Sequence, residues 1–244
     1  MFYPPPEELR VFLESNSDLY FPIRGGNSLE QDQWCVDHAE SDAGSDNISG
    51  LNPLLNEMTS IYWFWKNKQL PDYVGFNHYR RFFPRESISD YADYDIIISK
   101  PIFSSSIPLV AQYQFYHRIM DLDKCVQYFI ETVPEWGIKF KQYLFTSGTN
   151  YAPCNMFVMR RDLFDEWCQF IFPALFELKD RICETEEFKL RDNYQKRALC
   201  FLTERIFNFW CYMKKCNGLK IKEVEMVEHL GYKPTGVNER GDFS

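Results

Sequence analysis

Histidine is scarce in this chain, four among 244 residues, and none of its eight cysteines stands in a Cys-x-x-Cys pair. The thiols are scattered at positions 35, 125, 154, 168, 183, 200, 211 and 216, so neither a structural zinc site nor a disulfide framework is legible. Free, buried thiols in a reducing compartment are the expectation. Long apolar runs are missing as well: none approaches the roughly 18 residues of a membrane-spanning helix. The opening Met1-Phe2-Tyr3-Pro4-Pro5-Pro6-Glu7 has neither the basic nor the apolar region of a secretory leader. A cytoplasmic protein is expected, with contact at the inner face of a membrane left open. Positive charge is in short supply. With 27 Lys and Arg against 35 Asp and Glu the formal net charge is −8, and the pI is near 5.1. No broad basic face can follow a nucleic-acid backbone, so nucleic acid is excluded as a partner. No internal repeat and no low-complexity tract is present.

What is abundant is apolar and aromatic side chain, 45% and 18% of the residues, enough for a sizeable core. Strand-like and helix-like stretches alternate, which predicts an α/β fold with a mostly parallel sheet flanked by helices and a helical C-terminal part. Strands are expected at Tyr20–Ile23, Tyr73–Phe76, Asp95–Ser99 and Asn155–Met159. Helices are expected from Asn52 to Asn67 with Pro53 in the first turn, and from Asp121 or Leu122 to Pro134. A third is expected from an Asp162 cap, kinked or divided at Pro173, and a fourth over Ala198–Lys215. A single domain over 1–244 with a tail over 230–244 is the simplest organisation.

The most informative stretch is Tyr73-Val74-Gly75-Phe76-Asn77-His78-Tyr79-Arg80-Arg81-Phe82-Phe83. A buried-strand pattern ends in an imidazole and two adjacent guanidiniums, a positive spot on an acidic chain. Arginine forks suit the oxygens of a small anion such as a phosphate. The same arginines would serve equally as partners for surface carboxylates, and residue chemistry leaves both readings open. Alternation places His78 and Arg80 on one face and Arg81 on the other.

The ordered stretches resemble one family, the bacterial capsular and exopolysaccharide glycosyltransferases grouped as domain of unknown function 4422. They are Asp46–Ser49 with Asn52, Glu57–Trp63 with Trp65-Lys66-Asn67, Gly75–Phe82 and Asp95–Pro101. Gln112, His117, Asp121-Leu122, Asn155–Met159, Arg197 and Glu204-Arg205-Ile206 follow, and the resemblance spans about residues 18 to 210. It implies a GT-A-like, nucleotide-sugar-dependent transferase acting on a glycan or polyprenol-linked acceptor, some members being linked to galactofuranose transfer. Family members usually open with an apolar strand that contributes to the nucleotide pocket. Here that strand is expected to be missing or replaced.

A departing diphosphate must be stabilised by a carboxylate-held divalent cation, manganese or magnesium, or by fixed cations and donors. Asp93-Tyr94-Asp95 precedes its strand, the wrong edge for a metal site, so no metal ligand is assigned. His78, Arg80, Glu204 and Asp121 are the candidate catalytic residues, and Asn52, Glu57, Asn77, Tyr79, Arg81, Lys100, His117 and Asn155 the candidate substrate-binding ones. Several have plain structural alternatives. Asn52 would cap a helix, Glu57 would pair with Arg80 or Arg81, and Lys100 would be a surface lysine. His117 and Asp121 would mark a helix start or serve an acceptor hydroxyl, and Glu204 would pair with Arg205 or act as a base. A non-catalytic binding subunit of a polysaccharide assembly complex and a metal-dependent phosphoesterase are the competing classes.

Overall fold

The computed structural model describes residues 5–26, 32–78, 80–101, 107–146 and 151–228. The expected tail lies outside these residues. In chain order, α1 (Glu7–Ser15), β1 (Ile23–Arg24), α2 (Gln33–His38) and β2 (Glu40–Ser41) lead to α3 (Asn52–Leu55) and α4 (Met58–Asn67). Then come β3 (Tyr73–Phe76), β4 (Arg81–Phe82), β5 (Ile96–Ser99), α5 (Leu109–Tyr116), α6 (Ile119–Thr132) and α7 (Pro134–Phe145). β6 (Phe157–Arg160), α8 (Arg161–Cys183), α9 (Glu186–Lys189), α10 (Ala198–Cys216), β7 (Ile221–Val224) and β8 (Val227–Glu228) complete it.

The main sheet has four strands in the order β3-β6-β5-β7. Its pairing departs from the mostly parallel sheet expected: β6 runs antiparallel to both β3 and β5, and β5 with β7 is the parallel pair. An apolar run specifies a strand and its buried faces but not its direction. Direction follows from the connection, and the helices α5 to α7 return the chain to the sheet edge that β5 left. Small two-stranded sheets pair β1 with β2 in parallel and β4 with β8 antiparallel.

The expected helix over Asn52–Asn67 is interrupted. Asn56, at φ 46° and ψ −124°, breaks it between α3 and α4. Asn52 is no N-cap here. Its Nδ2 instead bridges the break, donating to the Asn56 carbonyl and to Thr59 Oγ1 at 3.0 Å each. The helix expected to cap at Asp162 starts at Arg161, and Asp162 instead accepts from Arg160 Nη2 at 2.7 Å. Pro173 does not divide α8. It removes one backbone hydrogen bond, but Ile171, Phe172, Ala174 and Leu175 are all buried and their packing carries the helix across.

Ala198 through Cys211 of α10 are buried all round, the pattern of a helix inside the core. Trp167 of α8 meets Phe207 and Trp210 of α10 at ring-centroid distances of 5.1 and 5.4 Å. Each such large apolar side chain contributes on the order of 1.5–3 kcal/mol by leaving water. Among the described residues no helix is long and apolar enough to cross a membrane.

Candidate active site

The reversed strand β6 decides where side chains gather. Phe157, its first residue, lies opposite Phe76 near the end of β3 and opposite Ile98 near the end of β5. The segment that enters β6 therefore shares a sheet edge with the residues that leave β3. Arg81 Nη1 donates to Cys154 Sγ at 3.0 Å across that edge.

After β3 the chain does not continue as a strand. The Arg81 N–H donates to the His78 carbonyl at 3.0 Å, closing a tight turn, and Arg81 and Phe82 pair with β8. Strand alternation thus does not govern His78, Arg80 and Arg81. Asn77 stays within the turn region, its Oδ1 accepting from the Phe83 N–H at 3.2 Å. Tyr79 lies outside the described residues. His78 is enclosed, and its pKa is driven well below the ordinary value by desolvation, with Arg81, Arg80 and Arg197 adding to the effect. The imidazole is consequently neutral, and the positive charge at this edge belongs to the arginines.

Asn155 and Cys154 hold left-handed backbone, φ 48° and 75°, which stops β6 from starting at Asn155. Asparagine tolerates this conformation better than most residues. The strained pair is held by α10. Asn208 Oδ1 accepts from the Ala152 N–H at 2.8 Å, and its Nδ2 donates to the Ala152 carbonyl at 2.7 Å. Glu204 accepts from the Cys154 N–H at 2.7 Å, from Arg205 Nη1 at 2.9 Å and from the Tyr151 hydroxyl. A carboxylate with three donors is no free general base. Glu204 anchors the entering segment, and Arg205 passes the network on to Gln112 Oε1 at 2.9 Å.

With its backbone so fixed, Asn155 donates from Nδ2 to Oε1 of Glu57 at 2.8 Å, while its Oδ1 is buried with no partner. Glu57 occupies the N-cap position of α4, just after the strained Asn56. Its partners are Asn155 and the Cys200 thiol, 3.5 Å from both oxygens, in place of the expected arginine. Desolvation raises its pKa, and the nearby Glu204 charge adds to the rise.

The remaining expected residues are taken up by other contacts. Asp121 is 1% exposed and accepts both Nη1 and Nη2 of Arg191 at 2.6 and 2.9 Å, so it is closed to any substrate. His117 ends α5 rather than sharing a helix face with Asp121. It stacks on Phe201 at 4.0 Å, and desolvation brings its pKa down to about 2. Lys100 pairs with Glu225 at 2.7 Å on the surface. Asp95, at the start of β5, is taken by Arg160 and by the Lys220 N–H. Among the described residues no three His, Cys, Asp or Glu side chains converge to hold a metal ion.

The model of a family described as a domain of unknown function (DUF4422) matches residues 11–215. The chain belongs to the DUF4422 family. A solved structure of the WbbM bifunctional glycosyltransferase in its apo form is similar, with a TM-score of 0.70 at 26% identity. The likeness covers 85% of this chain and 42% of WbbM, so the chain spans less than half the length of that protein. Among curated proteins, none matches.

Two residues of this DUF4422 chain escape a reading of its sequence as site residues. Arg197 ends a 3₁₀ turn over Gln195–Arg197 and acts electrostatically on both His78 and Glu57. Asn56 accepts from Arg197 Nε at 2.6 Å and Nη2 at 2.9 Å once its amide oxygen is turned to these donors. For Arg197 the signal was its place among the family-like stretches. For Asn56 there was none, because an exposed-looking asparagine in a helical pattern gives no hint of a broken helix.

Proposed function

We propose that this chain is a glycosyltransferase that moves a sugar from a nucleotide-sugar donor to a glycan or polyprenol-linked acceptor in capsular or exopolysaccharide assembly. The reading rests on one observation above all: the Arg81 guanidinium reaches Cys154, next to the Asn155 that holds Glu57, so a cation and a polar pair meet at one sheet edge. Arg80 and Arg81 would stabilise the charge that grows on a departing diphosphate, a task for prepositioned cations in a partly dehydrated site. His78, as a neutral imidazole, would offer a hydrogen bond rather than a charge. Glu57 and Asn155 would recognise sugar hydroxyls, with the unpartnered Asn155 Oδ1 as acceptor. Membership in DUF4422 and the likeness to WbbM support the reaction class. A galactofuranose donor agrees with the resemblance drawn from the sequence.

A panel of nucleotide sugars assayed for release of the nucleoside diphosphate, with and without manganese, tests this. Release with one donor, lost in Arg80→Ala at an unchanged thermal melt, is the expected result. No release with any common donor would instead favour a non-catalytic binding subunit.

A further inference from the structure

Arg197 is a partly exposed guanidinium that makes no ion pair among the described residues. Its fixed partner is a neutral one. Nε and Nη2 both point to the Asn56 carboxamide oxygen, and the guanidinium carbon lies 5.5 Å from the centre of the Phe201 ring. Orientation is therefore supplied without a direct ion pair, Glu57 being an acid that feels its charge without bonding to it. A carboxylate at position 56 would orient the fork equally well and cancel its charge.

The orienting residue is itself held under strain. Asn56 sits at φ 46° and ψ −124°, a conformation that suits glycine. Its N–H donates to the Asn52 carbonyl at 2.8 Å, and its carbonyl accepts from Asn52 Nδ2 at 3.0 Å. Strain maintained by surrounding bonds accompanies pre-organised sites. Arg197 also joins Arg80 and Arg81 in acting electrostatically on the His78 imidazole. Beside them the buried Asn155 Oδ1 lacks a donor. A polyanion that also carries hydroxyl groups answers both features.

We infer that Arg197 binds the diphosphate of the nucleotide donor and that Asn56 is its positioning residue, the two forming a clamp. The inference rests on the glycosyltransferase reading and assigns the anion-binding side of its site. A guanidinium edge matches two phosphate oxygens at once, which an ammonium group cannot do.

Calorimetric titration of UDP, GDP, CDP, dTDP and inorganic pyrophosphate into the full chain, paired with thermal melts, tests it. Asn56→Gly is the decisive variant, because glycine accepts the backbone conformation and removes only the side chain. The expected result is a melt equal to or above that of the wild type and an affinity weaker by about tenfold, the loss of one oriented charge-assisted contact. Asn56→Asp should weaken binding at least as much by placing a competing anion on the fork. Arg197→Lys, which keeps the charge and loses the fork, should fall between the wild type and Arg197→Gln. Binding by the wild type with undiminished affinity in Asn56→Gly and Arg197→Gln would overturn the clamp alone. No binding of any of these probes by the wild type would overturn the clamp together with the glycosyltransferase reading.

Discussion

Glu57 and Asn155, 98 residues apart in the chain, meet through a 2.8 Å hydrogen bond from the asparagine carboxamide to the carboxyl oxygen. Each sits where the backbone has just left regular structure, at a broken helix and at a delayed strand. Neither position is explained by its own segment. The contact ties them together.

Asn155→Gly should separate this contact from backbone strain, since glycine accepts φ 48°. Removing the donor leaves a buried carboxyl with only its own backbone N–H and a weak thiol partner, at a cost of about 1–3 kcal/mol. A chain of this size would then melt lower by about 2–4 °C per kcal/mol. A thermal melt within about 1 °C of the wild type would show that Glu57 is satisfied without Asn155.

The Asp121–Arg191 pair is a structural ion pair with side chains 2% and 3% exposed. Arg191→Met strands a buried carboxylate and should cost about 3–5 kcal/mol. Adding Asp121→Leu should restore part of that loss, since a buried pair replaced by apolar groups is often neutral. Urea melts of the two single variants and the double variant decide it. Additive losses would mean that the two side chains are not coupled.

Acid should destabilise the fold through two histidines enclosed among the described residues. His78 and His117 both lie below the ordinary value of 6.5, His117 at about 2, chiefly through desolvation. Their contribution is complete above pH 6.5 and is lost as the pH falls, because the unfolded chain takes up protons that the native one refuses. The slope is about 1.4 kcal/mol per pH unit for each histidine. Glu57 acts in the opposite sense. Its pKa is raised above 4.5, so its contribution is complete below that value and declines as the pH rises. His117→Phe keeps a ring against Phe201 and deletes one titration. Between about pH 6 and 5 its stability should change less steeply than that of the wild type by about 1.4 kcal/mol per unit. Parallel curves would place the imidazole in water.

Gly137 lets α7 touch α6, and a Cβ there would lie 2.4 Å from the Ile130 nitrogen and 2.5 Å from the Phe129 carbonyl carbon. Backbone cannot give way as a flexible side chain does, so Gly137→Ala should cost about 3 kcal/mol, the upper end of overpacking. Gly50 meets nothing within 4 Å. Gly50→Ala is the control and should stay within about 0.5 kcal/mol. Equal melts for the two variants would contradict the close approach of the helices.

Much of the fold was legible because the signals were local. Tyr73–Phe76 and Ile96–Ser99 form the strands that their apolar runs announced, and α10 covers the predicted helix. β7, with its mixed Ile-Lys-Glu-Val, escaped notice because it becomes a strand by pairing with β5, a relation its own residues do not encode. The antiparallel setting of β6 was hidden for the same reason. In the candidate site, Asp121 and Glu204 drew attention as charges amid apolar residues. The structure gives each a buried arginine, since an isolated charge there would be costly. Asn56 and Arg197 went unassigned because their importance lies in a long-range pairing and a backbone break.

A strand zipped to neighbours on both sides cannot slide, and β6 is zipped in this way. The carboxamide at its entrance is therefore held in one place, against Glu57. On the glycosyltransferase reading, accommodation of a bulkier or smaller donor would fall to the single 3₁₀ turn that carries Arg197, and changes in selectivity should accumulate there.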